Sequence, residues 1–248
     1  MIFDLDDTLI LDTGRECYRA AATTAGMDPE VVAPAAERIA RALWRESPHV
    51  ELGVELGIAS WEVLWAEFTG CHPRVDGLRD WAPGYRGAVW QKVAAKCRAD
   101  IAKASILERA YVAAHRAGHP QIPGALDLVQ RLHRSGVPIG ILTNGPADIQ
   151  RLKLQQFGAM ECFATTVVSG EVGVGKPDPS IFRMVLEGLG TLASDTVMIG
   201  DSWVRDIEGA ESVGMRSIWV GSGRTVRRQV EGMSVVTSTA EAGALLGC

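Results

Sequence analysis

Between Thr13 and about Ala117 the chain reads as helix after helix. This block of about a hundred residues separates one apolar stub, Ile2-Phe3, from every other strand-like run. Ala20-Ala21-Ala22, Ala35 to Trp44 and Ile101 to His115 are rich in good helix formers. Pro29, Pro34, Pro73 and Pro83, with Gly70, Gly77 and Gly84, are expected at the breaks between helices. Past His119-Pro120-Gln121-Ile122-Pro123-Gly124 the pattern becomes one of short apolar strands alternating with helices. Strands are predicted at 137–142, 165–169, 196–199 and 216–220, and helices over 125–135, 146–157 and 180–189. A further helix after Ser202 ends before Gly214, and the weakly patterned tail holds one more strand, 234–236, and a terminal helix. Such alternation predicts an α/β fold, a doubly wound parallel sheet with right-handed crossovers. The helical block is then an insertion into that fold directly after its first strand. This divides the chain into a core of residues 1–12 and 119–248 and an all-helical cap domain of residues 13–118. Only three residues precede Asp4, so the first strand is expected to be unusually short, or to begin upstream of Met1.

In an open parallel sheet ligands sit at the carboxyl ends of the strands. Asp4 and Asp6, Thr143 and Asn144, and Gly200-Asp201 all fall at such ends, and a helical insertion leaving the same edge lies over them as a lid. Side chains alternate faces in extended chain, so Asp4 and Asp6 project together while Leu5 turns inward. Two ionised carboxylates that close repel each other unless a cation neutralises them, and hard oxygen ligands suit Mg²⁺. Asp4 has the chemistry of a nucleophile, and Asp6 that of a general acid to a leaving oxygen and then a base to water. Asp201 adds a hard oxygen ligand. Asp206, about one helical turn beyond it, is placed to orient Asp201 or a metal-bound water. Thr143 and Asn144 offer a hydroxyl and an amide to phosphate oxygens, and Lys176 offers a cation to Asp4 and a phosphoryl group together. Phosphoryl transfer asks mainly for positioning and charge neutralisation, and this set supplies both.

The totals narrow the partners. A formal charge of −5 gives no electrostatic reason to expect nucleic acid or an anionic membrane. Arg224-Thr225-Val226-Arg227-Arg228 is short enough to read as a solvated surface. Cys17, Cys71, Cys97, Cys162 and Cys248 are odd in number and scattered, which argues against a zinc site or disulfide framework and fits a cytoplasmic protein. No apolar run approaches the roughly 20 residues that span a bilayer. Gly170 to Lys176 spells the start of a nucleotide-binding P-loop, but Pro177 stands where that loop requires Ser or Thr. His49, His72, His115, His119 and His133 show no metal-ligand spacing and are expected at the surface or as cap structure.

Four segments together resemble the ordered motifs of the haloacid dehalogenase (HAD) superfamily. They are Asp4-Leu5-Asp6-Asp7-Thr8-Leu9, Leu142-Thr143-Asn144-Gly145, Gly175-Lys176-Pro177-Asp178-Pro179-Ser180-Ile181-Phe182, and Gly200-Asp201-Ser202 with Asp206. The resemblance covers roughly residues 1–11 and 120–222. It implies Asp4 as nucleophile, Asp6 as acid and base, and Mg²⁺ held by Asp4, the Asp6 carbonyl and Asp201, with Asp206 and Ser202 in support. Thr143, Asn144 and Lys176 are implied as phosphate-binding residues, and the helical insertion as a C1-type cap of subfamily I. The haloacid dehalogenases proper lack the second acidic residue, so Asp6 favours a Mg²⁺-dependent phosphatase of a small soluble phosphomonoester. A phosphomutase shares all four motifs; a phospho-acceptor protein or an inactive binding protein fits the chain less well. The Thr143-Asn144-Gly145 and Gly-Val-Gly-Lys-Pro segments are more similar to the pyrimidine 5′-nucleotidase and N-acylneuraminate-9-phosphatase branch than to phosphoglycolate phosphatase. Arg15, Tyr18, Arg19, Arg86, Trp81 and Trp90 are candidate substrate contacts of the cap, although solvated arginines and core aromatics are the plainer expectation. Trp203 either walls the site or packs beneath it. A monomer or a homodimer is expected.

Overall fold

The computed structural model describes residues 1–221, 223–226, 228 and 230–246; Arg227 and Cys248, named above, lie outside the described residues. Strand β1 is only Ile2–Phe3, yet it is the centre of the sheet, with both residues fully buried and pointing into cores on opposite faces. It pairs in parallel with β2 (Gly140–Thr143) on one side and β4 (Val197–Gly200) on the other. Hydrogen bonds from Gly140 N to Met1 O and from Asp4 N to Ile199 O extend the short ladder at both ends.

After β1 the chain leaves the sheet through Leu9–Leu11 and returns through Pro120–Ile122. The two passages are tied by Leu11 N to Pro120 O and Ile122 N to Leu9 O, each 2.9 Å. Between them lie α1 (Gly14–Thr24), α2 (Pro29–Arg45), α3 (Val50–Leu56), α4 (Asp76–Lys96) and α5 (Lys103–Ala117). They close on a hydrophobic core of their own, in which Tyr18 stacks on Tyr111 at 4.7 Å and Trp90 tilts against both. Asp28 caps α2 by accepting from Glu30 N, ahead of a proline at the first helical position. Pro34 and Pro83 do not mark breaks; they lie inside α2 and α4. A proline removes one backbone bond, but burial of Val32, Ala36 and Ala40 in α2, and of Ala82, Tyr85 and Val89 in α4, outweighs that loss.

The rest of the chain alternates as expected: α6 (Ala125–Arg134), β2, α7 (Ala147–Phe157), β3 (Thr165–Val168), α8 (Ser169–Val172), α9 (Pro179–Leu189), β4, a π-helical turn (Trp203–Glu208) running into α10 (Gly209–Ser212), β5 (Arg216–Val220), β6 (Met233–Val236) and α11 (Thr239–Leu245). The sheet order is β3-β2-β1-β4-β5-β6, parallel throughout. The order reverses between β1 and β4, the position at which a doubly wound sheet opens a crevice. Gly136, which follows α6, has φ +74° and ends that helix in the left-handed conformation. Among the described residues no helix is long and apolar enough to cross a membrane.

His115 and His119 are not surface residues. His115 is fully buried, stacked against Trp65 and Trp61, with its Nδ1 3.4 Å from His119 Nε2. His115 lies in the last turn of α5, and His119, beyond Gly118, turns its ring back beside it and toward Gln156.

Candidate active site

Asp4 is the first residue beyond β1, and its buried carboxylate accepts from Leu5 N at 2.7 Å. Leu5 is fully buried, so the alternation expected around Asp4 holds. From there the chain turns tightly: Leu9 N and Ile10 N both donate to Leu5 O, and Asp7 adopts φ +53°.

Lys176 comes from the loop before α9, and its fully buried side chain reaches two carboxylates. Nζ lies 2.8 Å from Asp4 Oδ1 and 2.7 Å from Asp206 Oδ1. Asn144 fixes the Lys176 backbone in both directions: its Nδ2 donates to Lys176 O at 2.9 Å, and Lys176 N donates to its Oδ1 at 2.8 Å. Asn144 therefore places Lys176 and also borders the cleft, a part beyond the phosphate contact expected of it. The Gly170–Lys176 stretch forms α8 and an open loop, and its lysine is held in ion pairs; it builds no nucleotide loop. Carboxylate oxygens of Asp4, Asp201 and Asp206 lie within 4.8 Å of one another. Asp206, expected only in support, brings its own carboxylate into the group, accepting also from Ser202 N. The Asp6 side chain does not join it.

Three carboxylates against one buried ammonium leave negative charge in excess. Burial, then the charge of Asp206, raises Asp4 above the usual carboxylate range despite Lys176. Burial and the charge of Asp4 push Asp201 up to about 6, and burial raises Asp206. Carboxylates held above their ordinary range by mutual proximity are what a divalent cation relieves, and the all-oxygen donor set suits Mg²⁺.

Asp6 borders the same cleft as Asp4, but other partners hold its carboxylate. Its Oδ1 accepts from Lys153 Nζ and its Oδ2 from Gln150 Nε2, both at 2.8 Å. Burial would raise this carboxyl, but the Lys153 charge and the bonds from Lys153 and Gln150 outweigh it and hold it below its usual value. Gln150 Nε2 also donates to Thr143 Oγ1 at 2.6 Å, tying the end of β2 to Asp6. Glu62, on the loop after α3, is buried with Oε1 3.8 Å from Lys153 Nζ. Burial raises it to about 7 although Lys153 opposes the shift.

None of Lys153, Gln150, Glu62 and Trp61 was anticipated as a site residue. For the first two a signal existed: Gln150, Lys153, Leu154 and Phe157 repeat at helical spacing on the buried face of α7, where a lysine needs a partner. Glu62 and Trp61 sit in a loop with no motif around them.

A cleft of about 260 Å³ opens over these groups. The sheet side supplies Asp4, Asp6, Thr143, Lys176 and Asp201, the helical side supplies Gly57, Trp61 and Glu62, and Asp12 lies where the chain passes between them. Trp203 packs edge-on to Trp219 and donates to Glu208, so it belongs to the core beneath the site. Trp90 and Trp81 pack inside the helical layer, Arg19 pairs with Glu30, and Arg86 donates to the carbonyls of Val63 and Ala66. Arg15 and Tyr18 do line space: with Glu37, Arg41 and Ser60 they border a recess of about 130 Å³ that shares Asp12 and Trp61 with the cleft. Arg224, expected as free surface, pairs with Asp201 Oδ2 at 2.9 Å and caps the edge of the acidic group.

The model of the haloacid dehalogenase-like hydrolase family matches residues 1–214. A phosphoserine phosphatase from Thermus thermophilus is 33% identical over 225 residues, 90% of this chain and 88% of that protein. The pyrimidine 5′-nucleotidase YjjG from Escherichia coli is 36% identical over 114 residues, 46% of this chain and 49% of its own. Among solved structures, the putative HAD-hydrolase YfnB from Bacillus subtilis, bound to magnesium, superposes with a TM-score of 0.67 at 21% identity, covering 100% of this chain and 97% of that one.

Proposed function

This chain belongs to the haloacid dehalogenase-like hydrolases, and from that premise we propose that it is a Mg²⁺-dependent phosphatase of small phosphomonoesters working through a phosphoaspartate on Asp4. The observation that carries this reading is the Asp4 carboxylate at the end of the central strand, 2.8 Å from a fully buried ammonium and beside two more carboxylates. Asp4 attacks phosphorus, forming an Asp4–phosphorus bond as the bond to the ester oxygen breaks. Asp6 gives its proton to the departing alkoxide. It then takes a proton from water, whose oxygen attacks phosphorus and frees Asp4 and inorganic phosphate. A phosphoryl dianion beside Asp6 raises its proton affinity by like-charge repulsion, opposing the pull of Lys153. Lys176 neutralises the transferring group, Asn144 keeps Lys176 in place, and Thr143 offers its hydroxyl to a phosphate oxygen. Asp4, Asp201 and the Asp6 carbonyl, with Asp206 beside them, would hold Mg²⁺, which supplies further positive charge to the phosphoryl oxygens. Residues 13–118 act as the cap that excludes bulk water and meets the leaving group, and residues 1–12 and 119–248 as the core.

A narrower reading of the substrate is favoured by Arg15, which has no ion-pair partner among the described residues and borders the recess next to the cleft. A leaving group bearing a carboxylate suits it, and phosphoserine is one such ester. The test is phosphate release from phosphoserine, nucleoside monophosphates and sugar phosphates, with and without Mg²⁺. Mg²⁺-dependent release, strongest for the carboxylate ester, is the expected result. Release only from nucleotides would remove the narrower reading. No release from folded protein across the panel would bring phosphomutase or binding roles forward.

A further inference from the structure

Lys153 is a fully buried lysine outside the four motifs, and its surroundings come from both layers of the molecule. From the core, Asp6 accepts from its Nζ at 2.8 Å. From the helical layer, Glu62 stands 3.8 Å away and the Trp61 ring lies 5.0 Å from the same nitrogen. Taking an ammonium out of water is costly unless paired charges and an aromatic face replace the lost hydration. One turn earlier on α7, Gln150 holds the second oxygen of Asp6. A carboxylate has about four lone-pair positions, so these two bonds fix the plane of Asp6 and leave the positions facing the cleft open for the reacting proton.

We propose that Lys153 is the positioning residue of Asp6, assisted by Gln150, and that Glu62 and Trp61 share its charge so that the helical layer is seated by the group that aims the acid. The inference rests on the phosphatase reading given above. In the step it serves, the Asp4–phosphorus bond forms, the phosphorus–ester oxygen bond breaks and the Asp6 proton passes to that oxygen. Loss of Lys153 thus weakens proton donation while leaving Asp4, Lys176 and phosphate binding in place.

Leaving groups that need a proton to different degrees separate this role from a structural one. The release of phenol from phenyl phosphate and of p-nitrophenol from p-nitrophenyl phosphate is measured with Mg²⁺ present, in single turnovers with enzyme in excess for the rate and in the steady state for KM. The more acidic p-nitrophenol departs with little help from an acid, whereas phenol needs the proton. Lys153→Met is expected to slow phenol release by about 100-fold and p-nitrophenol release by less than about 10-fold, with KM for either changed little. Gln150→Leu, which leaves no buried charge unpaired, is expected to show the same bias at smaller size, and Lys153→Arg to restore part of the phenol rate. Equal losses for the two esters, or a change in KM alone, would overturn the positioning role. A wild-type protein releasing neither phenol is a different result, which removes the phosphatase reading itself. The sharing with Glu62 is read without turnover. Glu62→Gln combined with Lys153→Met should melt several degrees above Lys153→Met alone, because one buried carboxylate no longer lacks its cation. Additive shifts would overturn that half.

Discussion

Asp4 is the side chain whose removal should stop chemistry without loosening the fold. Its carboxylate is raised by burial and by Asp206, so in the metal-free protein its charge is a burden rather than a support. In an Asp4→Asn variant Lys176 keeps Asp206 at 2.7 Å. Turnover should fall by at least about a thousand-fold while the melting temperature stays the same or rises slightly, read from phosphate release and thermal unfolding on one preparation. Retained turnover would remove Asp4 as nucleophile. Asp4, Asp201 and Lys176 were legible in the sequence because each stands at a strand end or in a loop beside glycine or proline, where a carboxylate or ammonium has no packing role. The part of Asn144 in placing Lys176 was not legible, since only the fold brings the Lys176 backbone against its amide. Lys153 and Gln150 lie in the middle of an ordinary helix, where a polar residue on the buried face shows itself by periodicity alone. Arg224 was hidden by its neighbours in a basic run.

The element that seats the helical layer on the sheet is the end of α3. Gly57 closes α3 at φ +69°, and a Cβ built there would stand 2.6 Å from that of Asn144. Just beside it, a Cβ at Gly175 would stand 2.4 Å from Glu55 O. Ser169 adds a hydrogen bond to Leu56 O at 2.6 Å, so the loops after β2 and β3 both meet this helix end. Gly57→Ala must strain the left-handed turn, at about 1–2 kcal/mol, and also push on the residue that clamps Lys176. A fall in stability of more than about 2 kcal/mol in urea unfolding is expected, with a loss of kcat beyond that of an equally destabilised variant elsewhere. Gly87→Ala is the contrast. It lies inside α4 with nothing within 4 Å of an added Cβ, and should raise stability by up to about 1 kcal/mol. A Gly57→Ala protein as stable and active as wild type would mean that this contact does not join the layers. The strands were readable because each is a short apolar run, buried on both faces in all but the outer strands. The join was not, because a close approach between two backbones leaves only glycines in the sequence, and this chain has 27 of them.

Across the whole molecule five buried or half-buried carboxylates, Asp4, Asp6, Glu62, Asp201 and Asp206, gather in and behind the cleft around two ammonium groups, Lys153 and Lys176, with Arg224 paired to Asp201. Folding must hold this excess of negative charge together, and the sign of its pH dependence follows. Asp201 sits at about 6 against an ordinary 3.8, and Glu62 at about 7 against 4.5, both raised first by burial. A carboxyl with a raised folded pKa binds its proton more tightly in the native state. The stability it contributes is complete below its unfolded pKa and is lost as pH rises through the folded value. For these two groups the loss runs from about pH 4 to about pH 7. His115 works oppositely: burial holds its imidazole far below the usual value, so its contribution is present above about 6.5 and falls away in acid. The metal-free protein should therefore melt at a lower temperature at pH 8 than at pH 6. Mg²⁺ bound as proposed would take the place of the lost protons among Asp4, Asp201 and Asp206, and a ligand that binds only the folded state at a hundred times its Kd adds about 2.7 kcal/mol. Its stabilisation should accordingly be large at pH 8 and small at pH 5, where protons already occupy the carboxylates. Thermal unfolding at the two pH values, with Mg²⁺ or with a chelator, decides the matter. An equal shift at both would place the ion away from these carboxylates, and no shift at pH 8 would leave their charge to be balanced by Lys176 and Arg224 alone.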